Sequence, residues 1–555
     1  MTAFRNAVAP DVAADYRARG WWGDVTLLDH VRRHARERPD DAAIIADSGT
    51  LSWAAYERAA TRVAAALVDA SIPEGARVGV ILPDSGTVHA VFLGAELAGV
   101  TVVGIGARAG DREVRHLLGR TGASALVSLE RHRDRETASL LPDWKPEGGA
   151  PIRHVVVPRL EVDPDGPITV DGTPAATTVP AEALEARRVG PDDLFLVNST
   201  SGTTGLPKCV MHTQNRWLYF HQQAVRCGHL DADDVVFSAV PAPFGFGLWT
   251  AHFTPAMLGA PLVVAEQFDA DRTLALIEAH RVTMLAAVST QFVMMLNAPS
   301  MRTRDLASLR VMFTGGEAVP YERADAFERE TGCTVLQFFG SNETGLISGT
   351  TLEDPRDRRL RTAGKCIDDM QVRLYSNGRD VTASGRGQPA GRGPATCLGY
   401  LDDDAANREL FTHDGWMLMG DICTLDDEGW LTVVGRTSDF IIRGGKNISA
   451  AQVEDEVATH PAVALAAAVA QPDPVFGERV CVYAELQPGK TLELEELLAH
   501  LDARGTSREV WPEFLVVLDR LPRSSGAKVA KGDLRADAQA RADSRLQKTG
   551  GGRDQ

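Results

Sequence analysis

Short apolar runs alternate with longer amphipathic stretches in the N-terminal part of the chain. The runs AAIIA at 42–46, RVGVILP at 77–83 and TVVGI at 101–105 have the length and residue types of buried strands. Between them, residues 51–68 carry apolar side chains at helical spacing, and a second helix is expected to extend through Leu97. Strands that alternate with helices in this way predict a doubly wound, mostly parallel sheet.

The same alternation returns twice further along the chain. Residues 233–300 and 308–349 each combine short β runs with helices, two of which are expected near 249–258 and at 271–280. A loop-heavy segment rich in Pro, Gly and Asp, from about 142 to 192, separates this part from the first. We therefore expect two doubly wound α/β subdomains.

The pattern changes after about Thr362. Short apolar alternations separated by Gly and Asp predict a small antiparallel, β-barrel-like unit, and a compact α+β unit follows from Asp439. The last twenty residues are polar, so a frayed tail is expected. The predicted division is a large N-terminal domain, a short connection, a small C-terminal domain and a flexible tail, at residues 1–437, 438–440, 441–535 and 536–555.

Composition supports a multidomain globular protein. The 555 residues exceed what one hydrophobic core usually organises, and 44% of them are hydrophobic. A net charge of −17 argues against an electrostatic nucleic-acid binder. The seven cysteines form no CxxC pair, and neither a signal peptide nor an uninterrupted apolar span is found. These features predict a cytoplasmic protein with reduced thiols and no membrane partner.

The strongest chemical signal is the segment from Asn198 to Lys208, NSTSGTTGLPK, directly after the apolar run LFLV. Its hydroxyl groups, glycine backbone and terminal lysine can surround phosphate oxygens. The GxxxxGK[ST] spacing of a P-loop is absent. A loop of this density predicts a phosphate-binding site of another kind.

Two weaker signals follow. The segment QFFGSNETG at 337–345 places aromatic rings beside a carboxamide and one carboxylate, Glu343, which can hold Mg²⁺ through oxygen ligation. Gly420-Asp421 precedes Gly435-Arg436 by fifteen residues, and an acid and an arginine can serve a ribose and its phosphate. Alone, each of these is also typical of turns and surfaces.

Taken in order, these segments resemble the adenylate-forming superfamily of acyl-CoA ligases, acid adenylation enzymes, peptide-synthetase adenylation domains and luciferases. The similarity extends from about residue 20 to residue 535. It is carried by six motifs: STSGTTGLPK, FTGGE at 313–317, FFGSNETG, MGD at 419–421, GRTSDFIIRGGKNIS at 435–449 and LPRSSGAKVAK at 521–531. The resemblance implies ATP, Mg²⁺ and coenzyme A as cofactors.

The resemblance implies roles for individual residues. The residues that would contact ATP are Thr200, Ser201, Gly202, Thr203, Thr204, Lys208, Gly316, Glu317, Phe339, Gly340, Asn342, Asp421, Arg436 and Lys528. The hydroxyl loop would hold the β- and γ-phosphates, Phe339 would pack on the adenine, and Asn342 would lie near the α-phosphate. Glu343 would be the Mg²⁺ ligand, and Asp421 would bind the ribose hydroxyls.

Three residues would be catalytic: Lys528, Glu343 and Thr204. Lys528 would bridge the substrate carboxylate and the α-phosphate, because two repelling anions need cations on both sides of the reacting phosphorus. Asp439 would be the hinge about which the C-terminal domain rotates between half-reactions. Ala527 replaces the glycine that usually precedes the lysine, which leaves Lys531 as an alternative.

The acid pocket departs from the family pattern. Phe244 stands where a histidine is usual, and the aspartate that grips an amino group is missing, so an α-amino acid substrate is disfavoured. The residues expected to line the pocket are Phe244, Gly245, Phe246, Gly315, Gly340 and Gly345. They favour an apolar, bulky cyclic or aromatic carboxylic acid, although core packing would equally explain Phe246 and Trp249.

The sequence does not decide which thiol accepts the acyl group. The loop of Arg443, Gly444 and Gly445 would line a pantetheine tunnel, and both free CoA and a carrier protein present that arm. The N-terminal segment from Tyr16 to Leu27 looks like that of aryl-acid and cyclohexanecarboxylate-type enzymes. We expect an acid–CoA ligase, with carrier-protein loading and a catalytically impaired nucleotide-binding protein as alternatives.

Overall fold

The protein is represented by a computed structural model, which describes residues 8–132, 135–141, 151–199, 207–316, 319–436, 439–443, 446–523 and 528–550. The α-helices are Pro10–Ala18, Leu27–Glu37, Trp53–Asp69, Gly86–Ala98, Asp111–Thr121, Ala181–Glu185, Gln214–Gly228, Gly245–Gly247, Thr254–Leu258, Ala270–His280, Ser289–Leu296, Tyr321–Thr331, Arg356–Arg361, Asp404–Leu410, Ala450–Ala458, Leu494–Ala503 and Lys531–Gly550. Shorter 3₁₀ turns occur at Thr137–Leu140, Pro299–Arg302, Thr382–Ser384 and Arg508–Val510. The helices expected at 51–68 and 271–280 are therefore confirmed.

The helix expected near 249–258 is irregular. Residues Leu248–Phe253 form a π-helical segment, and α-helix resumes at Thr254–Leu258. Pro255 has no backbone N–H and cannot donate to the carbonyl four residues earlier, which accounts for the wider turn before it. The segment directly follows the predicted acid-pocket residues.

A nine-stranded sheet forms the centre of the N-terminal part. Its strands in spatial order are Lys365–Cys366, Gly345–Gly349, Thr334–Ser341, Val311–Gly315, Met284–Ala286, Val236–Ser238, Leu262–Val264, Ala42–Ala46 and Gly49–Ser52. The inner strands pair in parallel and the two edges are antiparallel. The strand Ala42–Ala46 thus joins a sheet built mainly from residues after 230.

An eight-stranded sheet contains the other predicted strands. Its order is Thr173–Pro174, Thr169–Val170, Arg153–Val156, Ala125–Ser128, Arg77–Ile81, Thr101–Ile105, Leu194–Ser199 and Cys209–Thr213. Arg153–Val156 lies in the segment expected to be loop-heavy, and it pairs in parallel with Ala125–Ser128. Its side chain Val155 is fully buried, which explains why this short run is ordered as a strand.

The two sheets share one hydrophobic core. Helices Trp53–Asp69 and Gly86–Ala98 pack together on the second sheet, and their side chains are continuous with Trp217, Phe313 and Phe338 near the first. One core that connects both sheets fixes their relative position. The carboxyl ends of strands from both sheets can therefore form a common site.

The predicted barrel-like unit is an open six-stranded sheet. Its strands are Arg379–Asp380, Gln371–Ser376, Arg386–Arg392, Asp421–Leu425 and Leu431–Arg436, with Met417–Leu418 on Arg386–Arg392. In the described chain, the two outer strands do not pair with each other. The reason is that Leu431 exchanges backbone hydrogen bonds with Ala363 and Gly364, so this edge is joined to the neighbouring sheet instead. The small antiparallel unit that was predicted is therefore confirmed, and it is an open sheet without barrel closure.

The C-terminal unit is a five-stranded sheet with helices on its faces. Its strands are Lys446–Ser449, Phe440–Arg443, Gly477–Leu486, Val463–Asp473 and Phe514–Leu518. The tail predicted as flexible is instead helical through Gly550. Leu534, Ala538 and Ala542 recur every four residues and are buried, and Leu534 and Ala538 pack against this sheet, which stabilises the helix.

The remaining composition-based expectations concern thiols and membranes. All seven cysteines are free thiols, and Cys366 alone among them is partly exposed. Burial raises the pKa of several of these thiols, including that of Cys209 to about 11, so they are inert packing residues. Within the described residues, none of the helices combines the length and the apolarity needed to cross a membrane.

Candidate active site

Asn198 and Asn342, from two of the predicted motifs, meet where strands of the two large sheets end. Leu194–Ser199 leads into the hydroxyl-rich segment, and Thr334–Ser341 leads into Asn342 and Glu343. The amides of Asn198 and Asn342 form a reciprocal pair, with Nδ2 to Oδ1 distances of 2.6 and 3.2 Å. Ligands of α/β proteins bind outside the carboxyl ends of such strands. This junction is therefore the candidate active site.

A buried histidine extends the amide pair into the protein. His212 Nε2 lies 2.7 Å from Asn198 Oδ1, and the guanidinium of Arg216 contacts its other ring nitrogen. Burial and the neighbouring cation hold the pKa of His212 well below its ordinary value, so the ring is neutral. Asn198 is thus fixed from behind by an uncharged ring.

Lys208 and Glu343 come together through a tyrosine. The Tyr400 hydroxyl donates a hydrogen bond of 2.7 Å to Glu343 Oε1, and Lys208 Nζ lies 4.9 Å from the centre of the Tyr400 ring. Lys208 also lies 4.0 Å from Glu409 Oε2. Thr200, Ser201, Gly202, Thr203 and Thr204, predicted to hold phosphates, lie outside the described residues.

The same region offers one carboxylate that could hold Mg²⁺, that of Glu343. Across the described ranges, no group of three or more His, Cys, Asp or Glu side chains could hold a metal ion. Glu343 offers one carboxylate with one oxygen already bonded to Tyr400. A single carboxylate suits Mg²⁺, which keeps waters and takes its other ligands from substrate phosphates. The residues present therefore fit a substrate-borne magnesium ion and not a dedicated metal cage.

Glycines allow neighbouring backbone segments to approach each other closely at this junction. A Cβ at Gly340 would overlap the carbonyl oxygen of Gly345, and a Cβ at Gly315 would overlap that of Phe338. Gly345 and Gly316 also have φ angles of 69° and 80°, which favour glycine. The close approach explains why predicted pocket residues are glycines.

The two candidate lysines of the C-terminal unit have different surroundings. Lys528 Nζ donates a 2.6 Å hydrogen bond to the carbonyl of Gly316. Lys531 Nζ instead lies 2.7 Å from Glu454 and 3.7 Å from Asp439. Only Lys528 thus reaches the N-terminal motif, and Lys531 belongs to the surroundings of the predicted hinge.

The predicted hinge residue is held by two cations. Arg535 Nη2 donates to Asp439 Oδ1 at 2.5 Å, and Lys531 approaches the other carboxylate oxygen. Both cations lie on the C-terminal helix or at its start. Asp439 therefore connects the end of the N-terminal domain to the last helix of the chain.

The predicted nucleoside contacts are partly described. Phe339 is half-buried and packs against the main core, and Asp421 is buried at the start of its strand. The register places Asp421 opposite Arg436. Glu317 and the side chain of Arg436 lie outside the described residues.

The aromatic segment divides into core and pocket parts. Trp249 is 2% exposed, and its ring lies 4.9 Å from that of Phe338 and 5.6 Å from that of Phe313. Trp249 is therefore a core residue, whereas Phe244 and Phe246 are only half-buried. Their exposed faces remain available to an apolar acid.

Gly245 connects the pocket to the amide pair. A Cβ at this position would lie 3.0 Å from Asn342 Oδ1 and 3.5 Å from the ring of Trp217. Gly245, predicted to line the acid pocket, therefore lies next to Asn342, which is predicted to lie near the α-phosphate. Trp217 was not among the predicted site residues.

Arg443, predicted for the pantetheine tunnel, is engaged within its own domain. Its guanidinium donates at 2.6 Å to Glu513 Oε1 and at 2.6 Å to the carbonyl of Glu509. Gly444 and Gly445 lie outside the described residues. The assignment of this loop to the acceptor remains a prediction.

Sequence reasoning missed His212, Arg216, Trp217 and Tyr400. None of them stands in one of the six motifs, and the partners of His212, Arg216 and Tyr400 are 14, 179 and 57 residues away in the chain. The short run WLYF at 217–220 predicts a buried helix face, and Arg216 directly before it was the available signal of a buried cation.

The fold and this site define an adenylate-forming enzyme of the acid–CoA ligase type. The sequence model of the family described as AMP-binding enzyme matches residues 31–401, and that of the AMP-binding enzyme C-terminal domain matches residues 452–528. The chain therefore belongs to the AMP-binding enzyme family. Enzymes of this family use ATP and CoA.

Individual relatives agree with this assignment. The chain is 31% identical over 550 residues to a salicylyl-CoA synthase / salicylate adenylyltransferase of a Streptomyces species, covering 96% of this chain and 98% of the relative. It is 29% identical over 546 residues to a medium-chain fatty-acid–CoA ligase of Escherichia coli (strain K12), covering 95% and 93%. The crystal structure of the anthranilate CoA ligase AuaEII with anthranoyl-AMP superposes with a TM-score of 0.82 at 22% identity, covering 94% and 98%, and supports the fold.

Proposed function

We propose that this enzyme activates an apolar carboxylic acid with ATP as an acyl-AMP and then transfers the acyl group to coenzyme A. The observation that carries the proposal is the 2.6 Å hydrogen bond from Lys528 Nζ to the carbonyl of Gly316. This bond brings Lys528, the lysine of the C-terminal unit to which we assign a catalytic role, to the FTGGE motif of the N-terminal domain.

The first half-reaction joins the acid to the α-phosphate. A carboxylate oxygen attacks the α-phosphorus, the bond to the bridging oxygen breaks, and pyrophosphate leaves with that electron pair. Lys528 offsets the charge of the two anions, while Asn342 donates to a phosphate oxygen. When bound, Mg²⁺ supplies positive charge to the departing phosphates, and Glu343 with Tyr400 would hold it.

The second half-reaction forms the thioester. The CoA sulfur attacks the acyl carbon, AMP leaves, and the thiol proton passes to solvent. We assign Asp439 as the hinge for this step, because its contacts to Lys531 and Arg535 couple it to the C-terminal helix. Free CoA is the proposed acceptor, in keeping with both named relatives.

A bulky cyclic or aromatic acid is the proposed substrate class. Phe244 and Phe246 present half-buried rings, and Gly245 keeps the space beside Asn342 open. Aromatic faces and apolar rings pack favourably, but such pockets discriminate single methylenes by only about 1–3 kcal/mol. Related acids of similar shape should therefore share the site.

The test is pyrophosphate release from ATP with a panel of medium-chain, benzoic, salicylic and naphthoic acids, with and without CoA. We expect release with at least one ring-bearing acid and thioester formation when CoA is present. Adenylate that accumulates without thioester would contradict CoA as the acceptor and favour carrier-protein loading. No release with any acid would contradict ligase chemistry and leave a nucleotide-binding protein.

A further inference from the structure

Arg216 is a fully buried cation next to the site that no motif predicts. It lies at the start of the helix Gln214–Gly228 and is 0% exposed. Its Nε donates a 2.6 Å hydrogen bond to the carbonyl of Ala395, and its guanidinium stacks over the rings of Trp217 and Phe220 at 4.9 and 5.7 Å. In the part of the chain that is described, no carboxylate pairs with it.

This position is costly for a charged group. Burial lowers the pKa of Arg216 to about 10, which still leaves it protonated at neutral pH, and its Nη2 has no hydrogen-bond partner within the described residues. A buried cation without a paired carboxylate destabilises the fold, and a well-packed apolar residue would avoid this penalty. Stability therefore does not account for an arginine here.

The donor chemistry of Arg216 sets the direction of a hydrogen-bond chain. A guanidinium can only donate, so His212 Nδ1 must accept and the ring proton must lie on Nε2. That proton is donated to Asn198 Oδ1 at 2.7 Å. Asn198 Oδ1 also accepts from Asn342 Nδ2 at 2.6 Å, and Asn198 Nδ2 donates to Asn342 Oδ1 at 3.2 Å.

The consequence is a fixed orientation of the Asn342 amide. With its oxygen and one Nδ2 hydrogen committed to Asn198, its second Nδ2 hydrogen remains as a donor for a substrate oxygen. Asn342 Oδ1 also borders Gly245 of the acid pocket. The orientation of one amide thus matters to both the phosphate and the acid.

Arg216 also fixes the segment that supports Glu343. Its Nε holds the Ala395 carbonyl, and two residues later Cys397 N donates to the Glu343 carbonyl at 2.8 Å. The same Ala395 carbonyl occupies the space beside Gly345. One guanidinium therefore supports the backbone segment that contacts Glu343 and Gly345.

We propose that Arg216 is a positioning residue for adenylation, which orients Asn342 through His212 and Asn198 and supports Glu343 through Ala395. The proposal rests on the adenylating function proposed above. It assigns a role to a residue outside the six family motifs. An arginine at this position can donate to a histidine and to a backbone carbonyl at once. It thereby sets the direction of the hydrogen bonds that lead to Asn342.

The first experiment compares Arg216→Met with Arg359→Met. Arg359 is a buried arginine on another helix, bonded to Glu328 and to the carbonyl of Val335, and serves as a matched control for the loss of a buried guanidinium. With rates normalised to folded protein, Arg216→Met should lower kcat/KM for ATP by about 10- to 100-fold. Arg359→Met should leave that ratio unchanged. Equal ratios in the two variants would overturn the proposal.

The second experiment is a double-mutant cycle with Asn342→Ala. If Arg216 acts through Asn342, then adding Arg216→Met to Asn342→Ala should cost much less than Arg216→Met costs in the wild type. Losses that simply multiply would show that Arg216 does not act through Asn342 and would overturn the proposal. A wild-type enzyme without pyrophosphate release would instead contradict the proposed function, so the two failures are distinguishable.

A spectroscopic readout covers the case in which Arg216→Met does not fold. Arg216→Lys keeps the charge, but its single nitrogen cannot serve both His212 Nδ1 and the Ala395 carbonyl in the geometry of the guanidinium.

Nitrogen NMR of His212 should show Nδ1 unprotonated and Nε2 protonated in the wild type. In Arg216→Lys we expect a partial loss of kcat/KM for ATP and a mixture of tautomers. A wild-type ring protonated on Nδ1 would overturn the proposal.

Discussion

Glu343 illustrates how one carboxylate can be prepared for a polyphosphate substrate. Its Oε1 accepts a 2.7 Å hydrogen bond from Tyr400, and the ring of that tyrosine lies under the ammonium of Lys208. A hydrogen bond to a carboxylate and a cation over an aromatic face both restrict side chains that would otherwise rotate freely. The three residues therefore form a small ordered group.

Removing the Tyr400 hydroxyl should weaken this arrangement. We expect Tyr400→Phe to lower kcat/KM for ATP by about 10-fold, because Glu343 loses the group that orients it. Tyr375→Phe is the matched control, since Tyr375 is also buried and its hydroxyl bonds to Asp414, away from the motifs. Steady-state pyrophosphate release measures both, and equal activity of the two variants would contradict the assignment.

At the scale of elements, most strands could be predicted because each is a continuous apolar run between turn residues. The C-terminal helix could not, since the buried positions among its described side chains are Leu534, Ala538 and Ala542, and alanine gives a weak periodic signal. The open edge of the six-stranded sheet could not be predicted for a different reason: Leu431 pairs with a segment outside this sheet, which is a non-local contact. Local patterns predict elements, whereas edges depend on tertiary contacts.

In the candidate site, too, local motifs could be predicted and tertiary contacts could not. Asn342 and Lys528 stand in dense motifs and were predicted, and the structure places both at the junction of the sheets. Tyr400 bonds to Glu343 and Arg216 to the carbonyl of Ala395, both more than fifty residues away in the chain, so spacing gives no indication of these contacts. Motifs thus predict the groups expected to touch substrate better than the groups that orient them.

The helix Gly86–Ala98 carries a pH-dependent contact. Glu96 is 4% exposed, accepts a hydrogen bond from Thr26 and lies 3.5 Å from Arg188, yet burial raises its pKa to about 7. Between its ordinary value of 4.5 and about 7, the folded state holds a proton that the unfolded state has lost. The contribution of Glu96 to the free energy of unfolding therefore falls as pH rises through this interval.

The variant Glu96→Gln tests the predicted direction of this pH dependence. Urea unfolding of the wild type and the variant at about pH 5 and about pH 8 should show that the wild type loses more stability with rising pH than the variant does. The difference between the two proteins isolates Glu96 from other titrating groups. Parallel changes in both would contradict the assignment.

At the scale of the whole molecule, the two domains touch through a few polar contacts. Arg323 donates to the carbonyls of Ala458 and Val463 at 3.1 and 2.8 Å, and Gln487 donates to Asn297 at 2.7 Å. Together with the bond from Lys528 to Gly316, these contacts orient the C-terminal domain over the site. Contacts of this kind are compatible with domain rotation, because polar groups regain hydrogen bonds to water when they separate.

The most direct test of the central claim is single-turnover formation of acyl-AMP by the wild type, Lys528→Ala, Lys531→Ala and Lys490→Ala. Lys490 is an exposed residue of the same domain and controls for loss of a lysine. Lys528→Ala should lose about 10²–10³ in rate, equivalent to about 2.7–4 kcal/mol, while ATP binding largely survives. Lys490→Ala should match the wild type, and Lys531→Ala should lose less than Lys528→Ala. Near wild-type adenylation by Lys528→Ala would contradict the account.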